Sequence, residues 1–266
     1  PLSFLLVHQW EPKNVLRHRP MTEFYEDAAG DPKDFPSFAF IEPSYLSPGA
    51  NDAHPPHDIV DADLLVARVY NAVRANEELW KSTLLIVLFD EHGGFYDPVS
   101  PPPAIAPDHH TEEYDFTRYG VRVPALLVSP YCANTFDSDL LDHTSLLKYL
   151  QDKWGLGDLG ARAAHATSLA SALQGVPRTD TPQAIETSHP GGGPAVAQSE
   201  LTGHQAALVA LSQHLETMSG EDASVVAARS RQVLSGAQSQ MDAAVDRVDA
   251  FISHQQAIAL STPASR

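Results

Sequence analysis

A doubly wound α/β sheet is the fold class the sequence predicts, and three observations predict it. Leu84 to Phe89 form an unbroken apolar run, the pattern of a parallel strand covered on both faces. Residues 121–130, "VRVPALLVSP", give a second apolar strand. Segments with helical spacing precede the first strand and follow the second, the alternation of a layered α/β protein. The α/β domain is expected over residues 1–160, a linker over 161–200, and an α-helical extension, a hairpin, over 201–260.

The elements follow in chain order. "SFAFIE" (37–42) reads as a short strand, followed by a loop over 43–57 rich in Pro, Gly, Asn and His. Asp58 or Asp61 caps a helix over about 60–80, with Leu65, Val69, Ala72 and Val73 at helical spacing. The 84–89 strand runs into Asp90-Glu91-His92 and then Gly93-Gly94, which opens a proline-bearing loop to about residue 120. After the second strand, "DHTSLLKYLQDKWG" (142–155) reads as a helix capped by Asp142 and stopped by Gly155. Residues 171–200 lack periodicity. Leu201, Leu208, Leu211, Leu215 and Met218 form one helical stripe; Val226, Val233, Ala237, Met241, Val245, Val248 and Ile252 form a second, with "SGED" between them. The stripes predict an antiparallel pair packed face to face, with a surface for helix-mediated self-association.

Bulk properties narrow the function. The chain has 266 residues and is 43% hydrophobic, enough for a sizeable core. Its 17 basic and 34 acidic residues give a net charge of −17, which argues against nucleic acid and anionic membrane surfaces as partners. One cysteine, Cys132, excludes an internal disulfide. No apolar run has the length of a transmembrane segment, and no basic region followed by an apolar one marks a signal peptide. The chain opens at Pro1 directly on the apolar stretch "LSFLLVHQW", so it reads as a fragment of a longer protein.

The chemistry gathers at expected strand ends, where ligands bind in doubly wound sheets. Adjacent carboxylates at Asp90 and Glu91 repel one another, and a divalent cation relieves that cost. Gly93 and Gly94 permit the backbone turn that aims both side chains at one point. "GANDAHPPHD" holds His54 and His57 after the 37–42 segment, and His143 opens the helix after the second strand, where backbone N–H groups favour an anion. Carboxylates for a cation and imidazoles for an anion describe a phosphate-ester site. His109 and His110 lie in an acidic loop and read as surface residues.

These residues carry a resemblance. "DEHGGFYDPVSPPP", preceded by "IEPSYLSPGANDAHPPHDI" and followed by "RVPALLVSPY" and "LLDHTSLLKYLQDKWGL", resembles the bacterial phosphoesterase family over about residues 1–157. That family contains haemolytic and non-haemolytic phospholipases C and a group of acid phosphatases, within the alkaline-phosphatase-like superfamily. The resemblance implies the C-terminal part of an alkaline-phosphatase-like fold and a metal-dependent hydrolase acting on phospholipids or phosphomonoesters. It places a divalent metal ion on Asp90 and Glu91, puts His54 against phosphate, and makes His143 a phosphate contact or a ligand. It sets His92 inside the motif as a further catalytic candidate, and it favours a secreted, periplasmic or cell-envelope location.

Two departures qualify it. Pro98 stands where the family commonly has His. The Glu-Asn-x-Ser-Phe-Asp segment and the Ser or Thr nucleophile of the family's front half have no counterpart, so the chain alone is expected to be inactive. The rival reading from another class is a catalytically inactive remnant that binds a partner through its helical C-terminus. Sulfate-ester hydrolysis is a third reading, disfavoured because "SPYCANTF" around Cys132 lacks a formylglycine-type pattern.

Overall fold

The computed structural model describes residues 12–45, 50–55, 57–109, 112–187, 201–218 and 237–261. The apolar opening at 2–10, His110, residues 188–200 of the expected linker, the 219–222 break, Val226 and Val233 lie outside the described residues. In chain order the elements are α1 (Pro12–Val15), α2 (Met21–Ala29), α3 (Ile59–Ala75), α4 (Glu77–Trp80), β1 (Leu85–Leu88), β2 (Ala125–Val128), α5 (His143–Trp154), α6 (Ala161–His165), a 3-10 turn (Leu169–Ala172), α7 (Gly203–Met218) and α8 (Ala237–Ser261).

Local chemistry accounts for most boundaries. Val60 N donates to Asp58 Oδ1 at 2.9 Å and opens α3. The single helix expected over 60–80 is two, because Asn76 takes an extended backbone and its side chain accepts from Leu79 N, starting α4 afresh. At α5 the Asp142 carboxylate accepts from Thr144 N and Ser145 N, while Ser145 Oγ accepts from Asp142 N, a reciprocal capping box. Gly155, at φ 62°, supplies the left-handed residue that ends the helix.

The chain forms two compact units, one comprising Pro1–Ala72 with Ile185–Arg266, the other Val73–Ala184. In the first, Val15, Leu215, Phe251 and Ala259 form a buried cluster, with Leu211, Val248 and Ile252 packed on it. Burying a side chain such as Leu215 or Phe251 contributes about 2 kcal/mol. Val209, Met241 and Ala244 form a second cluster against Leu201. Contacts therefore climb α7 and α8 together, and the two helices run in the same direction, not antiparallel as the stripes suggested. A stripe reports which face is buried and leaves helix direction open. Glu216 and Arg247 add a buried ion pair across the two helices, 3.1 Å between Oε2 and Nε.

In the second unit β1 and β2 pair antiparallel, from Leu85 opposite Val128 to Leu88 opposite Ala125. The parallel packing expected for the 84–89 run is not what forms. A parallel pair needs a long crossover, usually a helix; the described residues between 89 and 124 contain no helix, and the chain returns alongside itself. Residues 37–42 form no strand; Phe38 and Phe40 are exposed, and apolar alternation makes a strand only where a partner ladder is available. Of the doubly wound sheet, the described residues thus hold this two-stranded ladder.

The expected linker begins with ordered structure. α6 and the 3-10 turn lie within it, Cys132 bridges to Leu173, and Gln174 N donates to Tyr131 O at 2.8 Å. Burial pushes the Cys132 thiol above its ordinary range, so it stays protonated. Arg74 is buried, donates from Nε to Pro182 O at 3.1 Å, and stacks over the Trp80 ring at 5.7 Å.

Candidate functional site

β1 delivers Asp90 and Glu91 at its carboxyl end. Asp90 Oδ1 accepts from Glu91 N at 2.9 Å, Glu91 Oε2 accepts from Gly93 N at 2.6 Å, and Phe95 N donates to His92 O at 3.1 Å. Gly93 and Gly94 sit at φ 65° and 77°, torsions that a Cβ resists. The turn expected from the two glycines is present, and both carboxylates are exposed. His92 is half-buried, and its Nδ1 is buried with no hydrogen-bond partner among the described residues.

The loop leaving this turn is tied back at several points. Arg122, just before β2, forks onto both oxygens of Asp97 at 2.8 Å. That guanidinium, followed by the amide of Val99, holds the Asp97 carboxyl well below the usual carboxylate range. Further out, Ala104 N donates to Thr117 O at 2.7 Å, and Arg162 of α6 donates to the main-chain oxygens of Ile105 and Phe116. The loop is therefore pinned at its root by Arg122 and at its far end by Arg162.

His143 is the first residue of α5, and its Nε2–H donates to the main-chain oxygen of Phe89 at 2.9 Å. Phe89 immediately precedes Asp90, so the start of α5 is fastened to the end of β1. The expectation that the α5 terminus receives a substrate anion needs correction, because the amides of Thr144 and Ser145 already serve the Asp142 carboxylate. The helix carries its own anion there.

His54 belongs to the first unit, in a loop that does not follow a strand. Its Nδ1–H donates to Pro55 O at 2.8 Å, which puts the ring's lone pair on Nε2. The loop is clasped by Asn51, whose N–H donates to Ser44 O and whose Oδ1 accepts from Ser44 N, at 2.9 and 2.7 Å. Ala53 takes a left-handed backbone, φ 62°, sparse for a residue with a Cβ. His57 N donates to His54 O at 2.9 Å, and His57 Nδ1 stands 2.5 Å from Asp52 Oδ1. Asp52, unremarked in the sequence reading, is nearly fully buried. Its signal was its place five residues before His57 in "NDAHPPHD". His109 is exposed, as expected.

The structure brings together Asp90, Glu91 and the N-terminus of α5. Among the described residues no three His, Cys, Asp or Glu side chains group as a metal site. Adjacent oxygen donors suit a hard divalent ion in type but fall short of a complete set in number.

Comparison with known proteins gives a consistent picture. The Phosphoesterase family pattern matches residues 7–157. Non-specific phospholipase C6 of Arabidopsis thaliana is 34% identical over 190 residues, covering 63% of this chain and 36% of that protein. Non-specific phospholipase C4 of the same plant is 29% identical over 215 residues, 70% of this chain and 40% of that protein. The non-hemolytic phospholipase C of Pseudomonas aeruginosa is 34% identical over 110 residues, 33% of this chain and 16% of that protein. The chain thus spans at most two fifths of the length of these relatives.

Proposed function

The chain belongs to the phosphoesterase family, and from that membership we propose that it is the metal- and phosphate-binding portion of a phosphoric ester hydrolase of the phospholipase C type. The phosphodiester of a phospholipid is the favoured substrate, in keeping with the names of the relatives, and a phosphomonoester, the substrate of an acid phosphatase, is the alternative within the same chemistry. The carrying observation is the turn at the end of β1, where Asp90 and Glu91 stand beside each other and His143 ties Phe89 to the start of α5.

Asp90 and Glu91 would hold a divalent ion, which when bound supplies positive charge against the phosphoryl oxygens. His54, its Nδ1–H committed to Pro55, addresses a phosphoryl or leaving-group oxygen through Nε2, which donates only when the ring is protonated. His143 orients the strand end that carries the carboxylates. His92, inside the same turn, is a further catalytic candidate. No Ser or Thr is assigned as nucleophile. Secretion or placement in the cell envelope is part of the same reading; no helix among the described residues is long and apolar enough to cross a membrane.

Calorimetric titration of the chain with manganese(II) tests this. The expected result is one binding event, lost in Glu91→Gln and Asp90→Asn. An absence of binding would overturn the reading in favour of a non-catalytic remnant. Turnover of phosphatidylcholine vesicles or p-nitrophenyl phosphate is expected near background. Turnover by this chain that disappears in Asp90→Ala would show that the nucleophile is present after all.

A further inference from the structure

Gln205 lies in the first turn of α7, is almost fully buried, and has an orientation its neighbours determine. Thr202 and Gln205 form a reciprocal capping box: Gln205 N donates to Thr202 Oγ1 at 3.2 Å, and Thr202 N donates to Gln205 Oε1 at 3.1 Å. With its oxygen occupied by an N–H, the side-chain amide must present its NH2 on the other side. There, Gln205 Nε2 stands 3.4 Å from His57 Nε2. An amide nitrogen only donates, so His57 Nε2 must be the accepting nitrogen of a neutral ring. The ring proton then sits on Nδ1, where Asp52 Oδ1 receives it at 2.5 Å. Assignments of this kind follow from the whole network, and here every member agrees.

We propose that His57 is a positioning residue, clamped in the Nδ1–H form between Asp52 and Gln205, and that through it the α7 capping box orients the loop that presents His54 to phosphate. His57 N donates to His54 O, and Ala53 holds a left-handed backbone between Asp52 and His54, which ties the His57 ring to the backbone that carries His54. The one ring proton of His57 is committed to the Asp52 carboxylate, and its other nitrogen accepts from the Gln205 NH2. The first turn of α7 thereby takes part in positioning His54. The phosphate part of this inference rests on the role given to His54 above; the clamp does not.

Two readouts on the full chain separate the possibilities. At alkaline pH, nitrogen-15 spectra of the histidine rings are expected to show His57 as Nδ1–H with Nε2 unprotonated. Gln205→Met, similar in volume but without a donor, releases that preference. Gln205→Glu keeps an oxygen for Thr202 while setting an acceptor against the ring, so His57 takes up a second proton. Inorganic phosphate titrated in the presence of magnesium is expected to bind about tenfold more weakly to Gln205→Met, with His57→Asn behaving likewise because it keeps only the Asp52 bond. An Nε2–H ring in the parent chain, or a Gln205→Glu spectrum identical to the parent's, overturns the clamp. Phosphate bound equally well by parent and variants overturns this inference alone. A parent chain that takes up no phosphate overturns the role of His54 and the phosphate part of this inference together.

Discussion

His143 Nε2 donates to the main-chain oxygen of Phe89 across 2.9 Å, joining the first residue of α5 to the last residue before Asp90. Fifty-four positions separate the two in sequence. Replacing the ring removes a side-chain tie between α5 and the residue that opens the acidic turn. In His143→Ala, amide hydrogens of Glu91 to Gly94 are expected to exchange several-fold faster, the scale of one neutral hydrogen bond of about 1 kcal/mol. His143→Gln, which keeps an N–H donor, is expected to recover part of the protection. Equal exchange in all three proteins would mean the bond does not order the turn.

Asp142 accepts from two amides and from the Thr144 hydroxyl at the start of α5. Asp142→Ala is expected to cost about 1 kcal/mol in denaturant unfolding. The same variant should loosen the acidic turn, because His143 sits on the turn of helix that frays. Asp142→Asn, which still accepts, should retain most of the stability.

Arg122 grips both oxygens of Asp97 and depresses that carboxyl below its unfolded value of 3.8. A depressed folded value means the contribution is complete above the unfolded carboxylate range of about 4 and is lost as pH falls through the lower, folded value. In Arg122→Ala the loop is expected to lose its native signal at a higher pH than in the parent, followed by chemical shifts of residues 96–99 during acid titration. Identical acid limbs would refute the assignment. Added salt should weaken the effect, since the guanidinium is largely exposed.

Glu216 and Arg247 lie at 5% and 11% side-chain exposure, so removing one leaves the other charge buried. Arg247→Met is expected to destabilise the first unit by about 3 kcal/mol. The double replacement Glu216→Met with Arg247→Met should lose far less, because no orphaned charge remains. Thermal unfolding of the single and double variants measures the difference.

Features written in a few neighbouring residues were legible in the sequence. The α5 start at Asp142, its stop at Gly155 and the glycine turn after Glu91 depend on contacts within a few positions, and the structure has them as expected. Direction and pairing were not legible, because each depends on a distant partner. The 84–89 run is equally apolar whether its neighbour runs parallel or antiparallel, and 37–42 alternates correctly with no ladder to join. The stripes on α7 and α8 identified buried faces such as those of Leu215 and Met241 but left the helix direction open. Gln205 was invisible for the same reason: its local pattern with Thr202 announces a cap, while its contact with His57 spans 148 positions.

The β1–β2 ladder has a colloidal consequence. Leu85–Leu88 and Ala125–Val128 contain no charged residue, proline or glycine, and each strand has a single neighbour among the described residues. Among the described residues neither outer edge carries a further paired strand, which leaves a template for another extended segment, and Leu126 adds a half-exposed apolar side chain. Purified and concentrated, the polypeptide should therefore self-seed, with thioflavin-positive assemblies appearing sooner as the protein is concentrated, and a lysine placed at Ile86 or Leu127 should delay them.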